Sequence, residues 1–343
     1  MNMVANRYEA ASVWTAEELR RDSSWIHPFS PAEIAELEAA THDVLRRGFH
    51  WGGFETEDFV LPTLADRFKR FQDDLENGRG ILLMRGIPVT DYDDEFAFTM
   101  YWGIARHIGD PISQNSRGDL IGEVKDRGRD YFSKNVRGYT TNNEIRAHCD
   151  SSDVVGLLCM HPARTGGESV VVSSGAIYNR LIEEFPEALP HLFKGFHFDL
   201  RGEGSTEDPD EVTRHRVPVF SHHAGLLSCR YNQKTIEDGM AKAGMPLTGE
   251  ALEAVRAVGR IALSDGIRFD MDFKVGDIQL LNNHTTLHAR TDFEDFDEPE
   301  RKRRLLRLWL NLPNGRPLTP EFAERLNTGP RGGVRVRPSA TAG

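Results

Sequence analysis

A histidine and an aspartate two positions apart, His148-Cys149-Asp150, and a second histidine far downstream, His288, are the residues best placed to do chemistry. Residues i and i+2 of a β-strand project to the same face. An extended stretch would therefore aim His148 and Asp150 at one ion and turn Cys149 away. Two imidazoles and one carboxylate suit iron(II) and leave half of an octahedral ion open for a co-substrate and O2. A lone His-x-Asp is common by chance, so its weight comes from the motifs downstream of it. His284 is the alternative imidazole, and Asp153 is the alternative carboxylate.

Two arginines strengthen the case. Arg303-Arg304-Leu305-Leu306-Arg307-Leu308-Trp309-Leu310 alternates with a period of two, which puts Arg303, Leu305, Arg307 and Trp309 on one strand face. Two guanidiniums on that face can anchor a carboxylate through bidentate, charge-assisted hydrogen bonds. The competing reading of Arg303 is a solvated basic run, Arg301-Lys302-Arg303-Arg304. Arg307 sits between leucines, where an unpaired guanidinium would be costly. Upstream, Thr165-Gly166-Gly167-Glu168-Ser169 reads as a tight turn opening a strand, with Ser169 able to offer its hydroxyl to the same carboxylate. Asn283 is read as bonding backbone near the site, Cys149 as packing, and Gln114, Asn115 and Arg230 as candidate lining of a substrate pocket.

These residues need strands to carry them and helices to cover those strands. Ser30-Pro31-Ala32-Glu33 has the form of a capping box with Pro at the first helical position. Ile34, Leu37, Val44 and Leu45 then share a face up to Gly48. Leu64, Phe68, Phe71 and Leu75 repeat that pattern, and Phe98, Tyr101, Trp102 and Ala105 suggest a third helix. Between these, residues 80–86 form an apolar run that predicts a buried strand. From about Val124 strands dominate, including Val154–Met160, Ser169–Val172 and an alternating stretch from Ile267 to Phe273. Thr248 could cap a helix carrying Leu252, Val255, Val258 and Ala262. Glu203–His215 reads as an exposed excursion. The pattern predicts one domain over residues 1–328, with 1–110 a helical flank and 111–315 a β core with helical insertions. Residues 329–343, rich in Gly, Pro and Arg without periodicity, are expected to form a flexible tail.

Composition excludes several other classes. No apolar run approaches a membrane span, and the first residues lack the apolar core of a signal peptide. Three cysteines cannot build a disulfide framework and fit a reducing cytoplasm. A net charge of −11 without a long basic block argues against nucleic acid. A small-molecule substrate is the expected partner, and self-association is left open.

The ordered set of His148-Cys149-Asp150, the Gly166-Gly167-Glu168-Ser169 turn, the Asn282–Arg290 stretch and the Arg303–Leu310 strand resembles one family. It is similar to the iron(II)/2-oxoglutarate-dependent dioxygenases of the taurine dioxygenase and 2,4-dichlorophenoxyacetate dioxygenase type, which include the clavaminate-synthase-like enzymes. The resemblance spans roughly residues 80–315. It implies a mainly β fold, a double-stranded β-helix (jelly-roll) core flanked by helices. It implies that His148, Asp150 and His288 hold iron, that Arg303 anchors the C5 carboxylate of 2-oxoglutarate beside Ser169, and that Arg307 contacts 2-oxoglutarate or an anionic substrate. The implied reaction consumes O2 and 2-oxoglutarate, releases succinate and CO2, and hydroxylates a substrate C–H bond. Asp150 favours hydroxylation, since halogenating relatives have a small residue there. The stretch Asn143-Glu144-Ile145-Arg146-Ala147 before His148 departs from the taurine enzyme, so the taurine pocket is not reproduced. A hydrolase or isomerase on the same scaffold, or a non-catalytic binding protein, is the alternative. The first would not need a second carboxylate-anchoring arginine, and the second would be favoured by loss of a metal ligand, of which none is missing.

Overall fold

Strands that are apolar on both faces must be covered on both sides, and the computed structural model shows how. It describes residues 6–128, 140–206 and 208–337. Two largely antiparallel sheets face each other, and helices lie on both outer surfaces. The larger sheet runs in the order Ile26–Pro28, Ile81–Arg85, Ile278–Asn282, Val154–His161, Arg304–Asn311 and Asp110–Pro111, with Ile121–Val124 also paired to Arg304–Asn311. The smaller sheet runs Phe269–Met271, Ser169–Ser173, Thr286–Arg290 and Ile145–His148. Successive core segments alternate between the sheets: Ile145–His148 in the smaller, Val154–His161 in the larger, Ser169–Ser173 in the smaller. The chain repeats this alternation through Ile278–Asn282, Thr286–Arg290 and Arg304–Asn311.

Period-two alternation sorts the side chains into three apolar layers. Between the sheets lie Ile81, Leu83, Val155, Val171, Leu281 and Trp309. Their neighbours Leu82, Met84, Leu280, Leu306 and Leu308 point outward, against the helices Pro31–Arg46, Leu64–Asn77 and Asp94–Ile108. On the opposite surface Val170, Val172, Leu287 and Ala289 meet Ser174–Glu184 and Gly249–Ala262.

The capping box at Ser30 forms as expected, with Ser30 Oγ and the Glu33 side chain exchanging bonds with each other's backbone N–H. Other expectations are corrected. Residues 1–110 are not a purely helical flank, because Ile26–Pro28 and Ile81–Arg85 are strands of the larger sheet. The strand expected over Ile267–Phe273 is confined to Phe269–Met271, between a turn at Gly266 and another before Gly276. The two longest helices that go unmarked in the sequence are Ser174–Glu184 and Gln233–Lys242. The first follows its strand directly, with Ser173 serving as the last strand residue and as the helix cap, so no turn residues separate them.

The tail is ordered through Arg337. Val334 is buried, its N–H donates to the Ser113 carbonyl, and Arg331 pairs with Asp153. Ion pairing replaces the apolar periodicity that would have marked this segment as structured. Residues 338–343 lie outside the described residues. No helix among the described residues is long and apolar enough to cross a membrane.

Candidate active site

The smaller sheet brings the three ligand-type residues together. Thr286–Arg290 pairs antiparallel with Ile145–His148 so that His288 lies directly opposite His148, and their ring centroids stand 4.3 Å apart. Ala147, Leu287 and Ala289 face the outer helices, which aims both imidazoles between the sheets. The strand ends at His148, and Asp150 stands in the turn beyond it. Cys149 does face away, its thiol near the carbonyls of Thr286 and Cys229.

Asp150 sits between the two rings, with Oδ1 3.7 Å from His148 Nε2 and Oδ2 3.9 Å from His288 Nε2. One ligand atom from each residue falls within 4.8 Å of the others. His148 Nδ1 lies 2.9 Å from the Arg146 carbonyl, a contact that fixes the tautomer and leaves Nε2 as the lone-pair donor. The Asp150 N–H donates to Asn283 Oδ1 at 2.9 Å, so Asn283 does bond backbone at the site. His284 is instead buried against Asp153 at 2.9 Å and aims away from the other two. Asp153 is committed to His284, Arg325 and Arg331, which removes it as a competing carboxylate.

Electrostatics suit a cation. Burial raises the Asp150 carboxyl, but Arg307, His288, His148 and the Trp309 indole outweigh it and hold it well below the usual carboxylate range. Burial pushes His148 down, and it takes His288 to about 3 with help from the neighbouring His148. The site therefore presents one carboxylate and two neutral imidazoles, the protonation state metal ligation requires. The donor set and its spacing fit iron(II).

The alternating strand delivers its arginines to the same space. Arg303, Leu305, Arg307 and Trp309 all line one cavity of about 990 Å³ that also contains His148, Asp150, His288 and Ser169. Arg304 points the other way, to Asp94 and Glu123. Arg303 is 4% exposed, and its Nη1 has no hydrogen-bond partner among the described residues. Its other contacts are a 3.4 Å bond to the Gly167 carbonyl and the Phe293 ring face. Burial draws its pKa down to about 10, with Cys159 and Asp295 acting against the shift. Gly167 explains the glycine pair in the turn, because its φ is +75° and a Cβ there would meet Arg303 Nε at 3.0 Å. The Ser169 hydroxyl lies in the cavity wall and donates to Gln279 Oε1 at 3.0 Å.

Arg307 Nη1 lies 3.7 Å from Asp150 Oδ2, and its Nε donates to Gln114 Oε1 at 2.7 Å. Gln114 is buried, and its amide also donates to the Leu120 and Arg307 carbonyls. It thus holds Arg307 instead of lining the cavity. Asn115 is away from the cavity too, with its amide closing a local turn onto Asp119 and Arg117. Arg230 reaches the wall, but its guanidinium donates to the carbonyls of Phe322 and Glu324.

Two contacts have no counterpart among the roles read from the sequence. Trp309 Nε1 donates to Asp150 Oδ2 at 2.8 Å, for which the shared strand face of Trp309 and Arg307 was the available signal. Arg290 donates to the carbonyls of Thr141 and Asn143, tying down the segment that leads into Ile145–His148.

Residues 44–309 match the model of the taurine catabolism dioxygenase TauD, TfdA family. FR-33289 synthase of Streptomyces rubellomurinus is 31% identical over 92% of this chain and 93% of its own length. The taurine hydroxylase-like protein SAT17 of Stachybotrys chartarum is 26% identical over 89% and 80%. Among solved structures, asparagine oxygenase in complex with Fe(II), 3-hydroxyasparagine and succinate superposes with a TM-score of 0.65 at 16% identity, covering 83% of this chain and 93% of that one. The non-haem iron oxygenase OrfP with Fe and α-ketoglutaric acid superposes with a TM-score of 0.60 at 14% identity, covering 83% and 93%. The chain belongs to the TauD/TfdA family. It is a 2-oxoglutarate-dependent oxygenase that uses iron(II) and O2.

Proposed function

We propose that His148, Asp150 and His288 are the iron ligands, that Arg303 anchors the distal carboxylate of 2-oxoglutarate, and that the substrate is a small organic acid, amino acids included. In this reading the alternating sheets are the double-stranded β-helix, and the cavity between them holds co-substrate and substrate together. The observation that carries it is Arg303. A guanidinium buried in the cavity wall with an unsatisfied N–H and no carboxylate partner among the described residues is costly. An incoming dicarboxylate offsets that cost.

Iron(II), when bound, supplies the O2 chemistry that couples 2-oxoglutarate decarboxylation to C–H hydroxylation. The protein does the rest. Asp150 and the two neutral imidazoles present the donor set; Trp309 holds the Asp150 carboxylate and Asn283 holds its backbone N–H. Arg303 orients the co-substrate, with Ser169 beside its carboxylate if the Ser169 hydroxyl turns from Gln279. Arg307, held by Gln114, sets positive charge next to Asp150, where a co-substrate or substrate carboxylate would lie.

The cavity mixes charges farther out, with Arg146, Arg201 and Lys234 alongside Asp210, Glu237 and Asp238. A wall of both signs suits a zwitterion. The neighbours crystallised with hydroxyasparagine and with arginine derivatives support that substrate class. The test is succinate release from 2-oxoglutarate with iron(II) and ascorbate, across a panel of amino acids and other small acids. Stimulation by one class with a hydroxylated product supports the reading. No stimulation by any acid, beside stimulation by a neutral compound, overturns the substrate class.

A further inference from the structure

Asp153 stands just beyond the Asp150 turn and is fully enclosed, 0% exposed. Its Oδ1 accepts from Arg325 Nη2 and meets His284 Nε2 at 2.9 Å. Its Oδ2 accepts from Arg331 Nη1 and from the Leu312 N–H at 3.1 Å. One carboxylate thus joins the ligand loop, the segment leading to His288 and the C-terminal chain. Asn283 completes the link, because its N–H donates to the Asp153 carbonyl at 2.8 Å and its side chain accepts from the Asp150 N–H. A shift of Asp153 therefore reaches Asp150 through Asn283 and the intervening turn.

The C-terminal chain that supplies both arginines is held in costly conformations. Leu326, Asn327 and Arg331 have φ of 54°, 55° and 56°, and a left-handed non-glycine residue persists only where its surroundings over-determine it. Those surroundings are specific. Arg325 Nη1 donates to Asn311 Oδ1 at 2.9 Å, and Asn327 Nδ2 donates to Glu211 Oε1 at 2.7 Å. Arg335 Nη1 donates to the Ser205 carbonyl at 2.6 Å, and Arg337 bonds the Gly202 carbonyl. Leu326 itself lines the cavity. The segment reaches the ligand loop on one side and, on the other, Gly202, Ser205 and Glu211, which adjoin the cavity-lining Arg201 and Asp210 in the chain.

We infer that residues 325–337 form a strap belonging to the active site: Arg325 and Arg331, through Asp153, position the Asp150 carboxylate, and Leu326 shapes the substrate end of the cavity. The inference rests on Asp150 being an iron ligand. Asp153 and Arg331 are positioning residues and touch no reactant.

The test compares the full-length protein with Arg331→Gln and Arg331→Lys under anaerobic conditions. Arg331 keeps a quarter of its side chain exposed, which favours folding of both variants. Iron(II) affinity and the visible absorption that iron(II) gains on chelating 2-oxoglutarate are measured where circular dichroism shows each protein folded. Arg331→Gln should weaken iron(II) binding about tenfold or more, the range found for partners of metal ligands, and shift the absorption. Arg331→Lys should restore both to within about twofold. A folded Arg331→Gln protein with wild-type affinity and absorption overturns the strap. Should Arg331→Gln fail to fold, hydrogen exchange on the wild type decides. Amides of 325–337 should gain protection when iron(II) and 2-oxoglutarate are added, and unchanged exchange there overturns the strap. Iron retained at wild-type affinity by His148→Ala and by Asp150→Ala would instead overturn the ligand assignment, and this inference with it.

Discussion

At the scale of single residues, the site works because burial and close neighbours set the state of each titratable group. Asp150 stays ionised beside the Arg307 guanidinium and the Trp309 indole N–H, and the two imidazoles stay neutral because burial disfavours their cations. His148→Ala should abolish iron binding and 2-oxoglutarate turnover yet leave the fold intact, since the apolar layers do not depend on the ion. Asp150→Gly should still load iron weakly through the two imidazoles and lose hydroxylation. Metal analysis of the folded variants decides, and iron retained at wild-type affinity in His148→Ala would refute the triad. The arginines divide the work. Arg303→Lys keeps the charge but loses the fork, so 2-oxoglutarate affinity should fall by at least about 1.4 kcal/mol, one tenfold step. Arg307→Lys should act on coupling, seen as succinate formed without hydroxylated product. Normal 2-oxoglutarate KM in Arg303→Lys would transfer the anchor role to Arg307.

At the scale of elements, the Arg304–Asn311 strand does several jobs through strict alternation. Its outward leucines pack the helical layer, while Arg307 and Trp309 turn inward to the site. Trp309 is the tie between core and chemistry, because its indole fills the inter-sheet layer and its N–H reaches Asp150. Trp309→Phe keeps most of the packing and removes one hydrogen bond to a charged oxygen, about 1.5–3 kcal/mol in comparable cases. Iron(II) affinity should drop by roughly tenfold or more, a larger effect than the loss of thermal stability implies for a conservative aromatic exchange. Equal iron affinity in the two proteins would show that the Trp309 hydrogen bond does not set the position of the Asp150 carboxylate.

At the scale of the whole molecule, buried histidines make stability depend on pH. Burial takes His284 and His288 each to about 3, against the opposing pull of Asp153 on the first and of Asp150 on the second. Both folded values lie below the unfolded value of about 6.5. Above that pH both states are neutral and nothing is lost. Below it the unfolded chain takes up protons the folded chain cannot, so stability falls with pH by about 1.4 kcal/mol per unit for each group until roughly pH 3. The urea midpoint of chelator-treated protein should therefore decrease steadily from about pH 6.5 to about pH 5. A midpoint that holds constant across that range would mean these imidazoles are protonated in the folded state.

Types and periodicities determined a good part of this protein on their own. The pairing of His148 with Asp150, the inward face of Arg303 and Arg307, the capping box at Ser30 and the buried strand near residue 81 could be read because i,i+2 and i,i+3/i,i+4 spacing is local information, whereas His288 joined them through the ordered motifs of the family resemblance. What tertiary structure alone decided was which polar groups find each other across long stretches of chain. Gln114 read as pocket lining but is spent on Arg307, while Arg230 does reach the cavity wall with its guanidinium spent on the carbonyls of Phe322 and Glu324. Asp153 read as a spare ligand but is the anchor of a C-terminal segment that looked like a loose tail. Apolar burial leaves a periodic trace in sequence because a whole face must match. A hydrogen bond or an ion pair needs only one donor and one acceptor at the right distance, and nothing local records which partner the fold will supply.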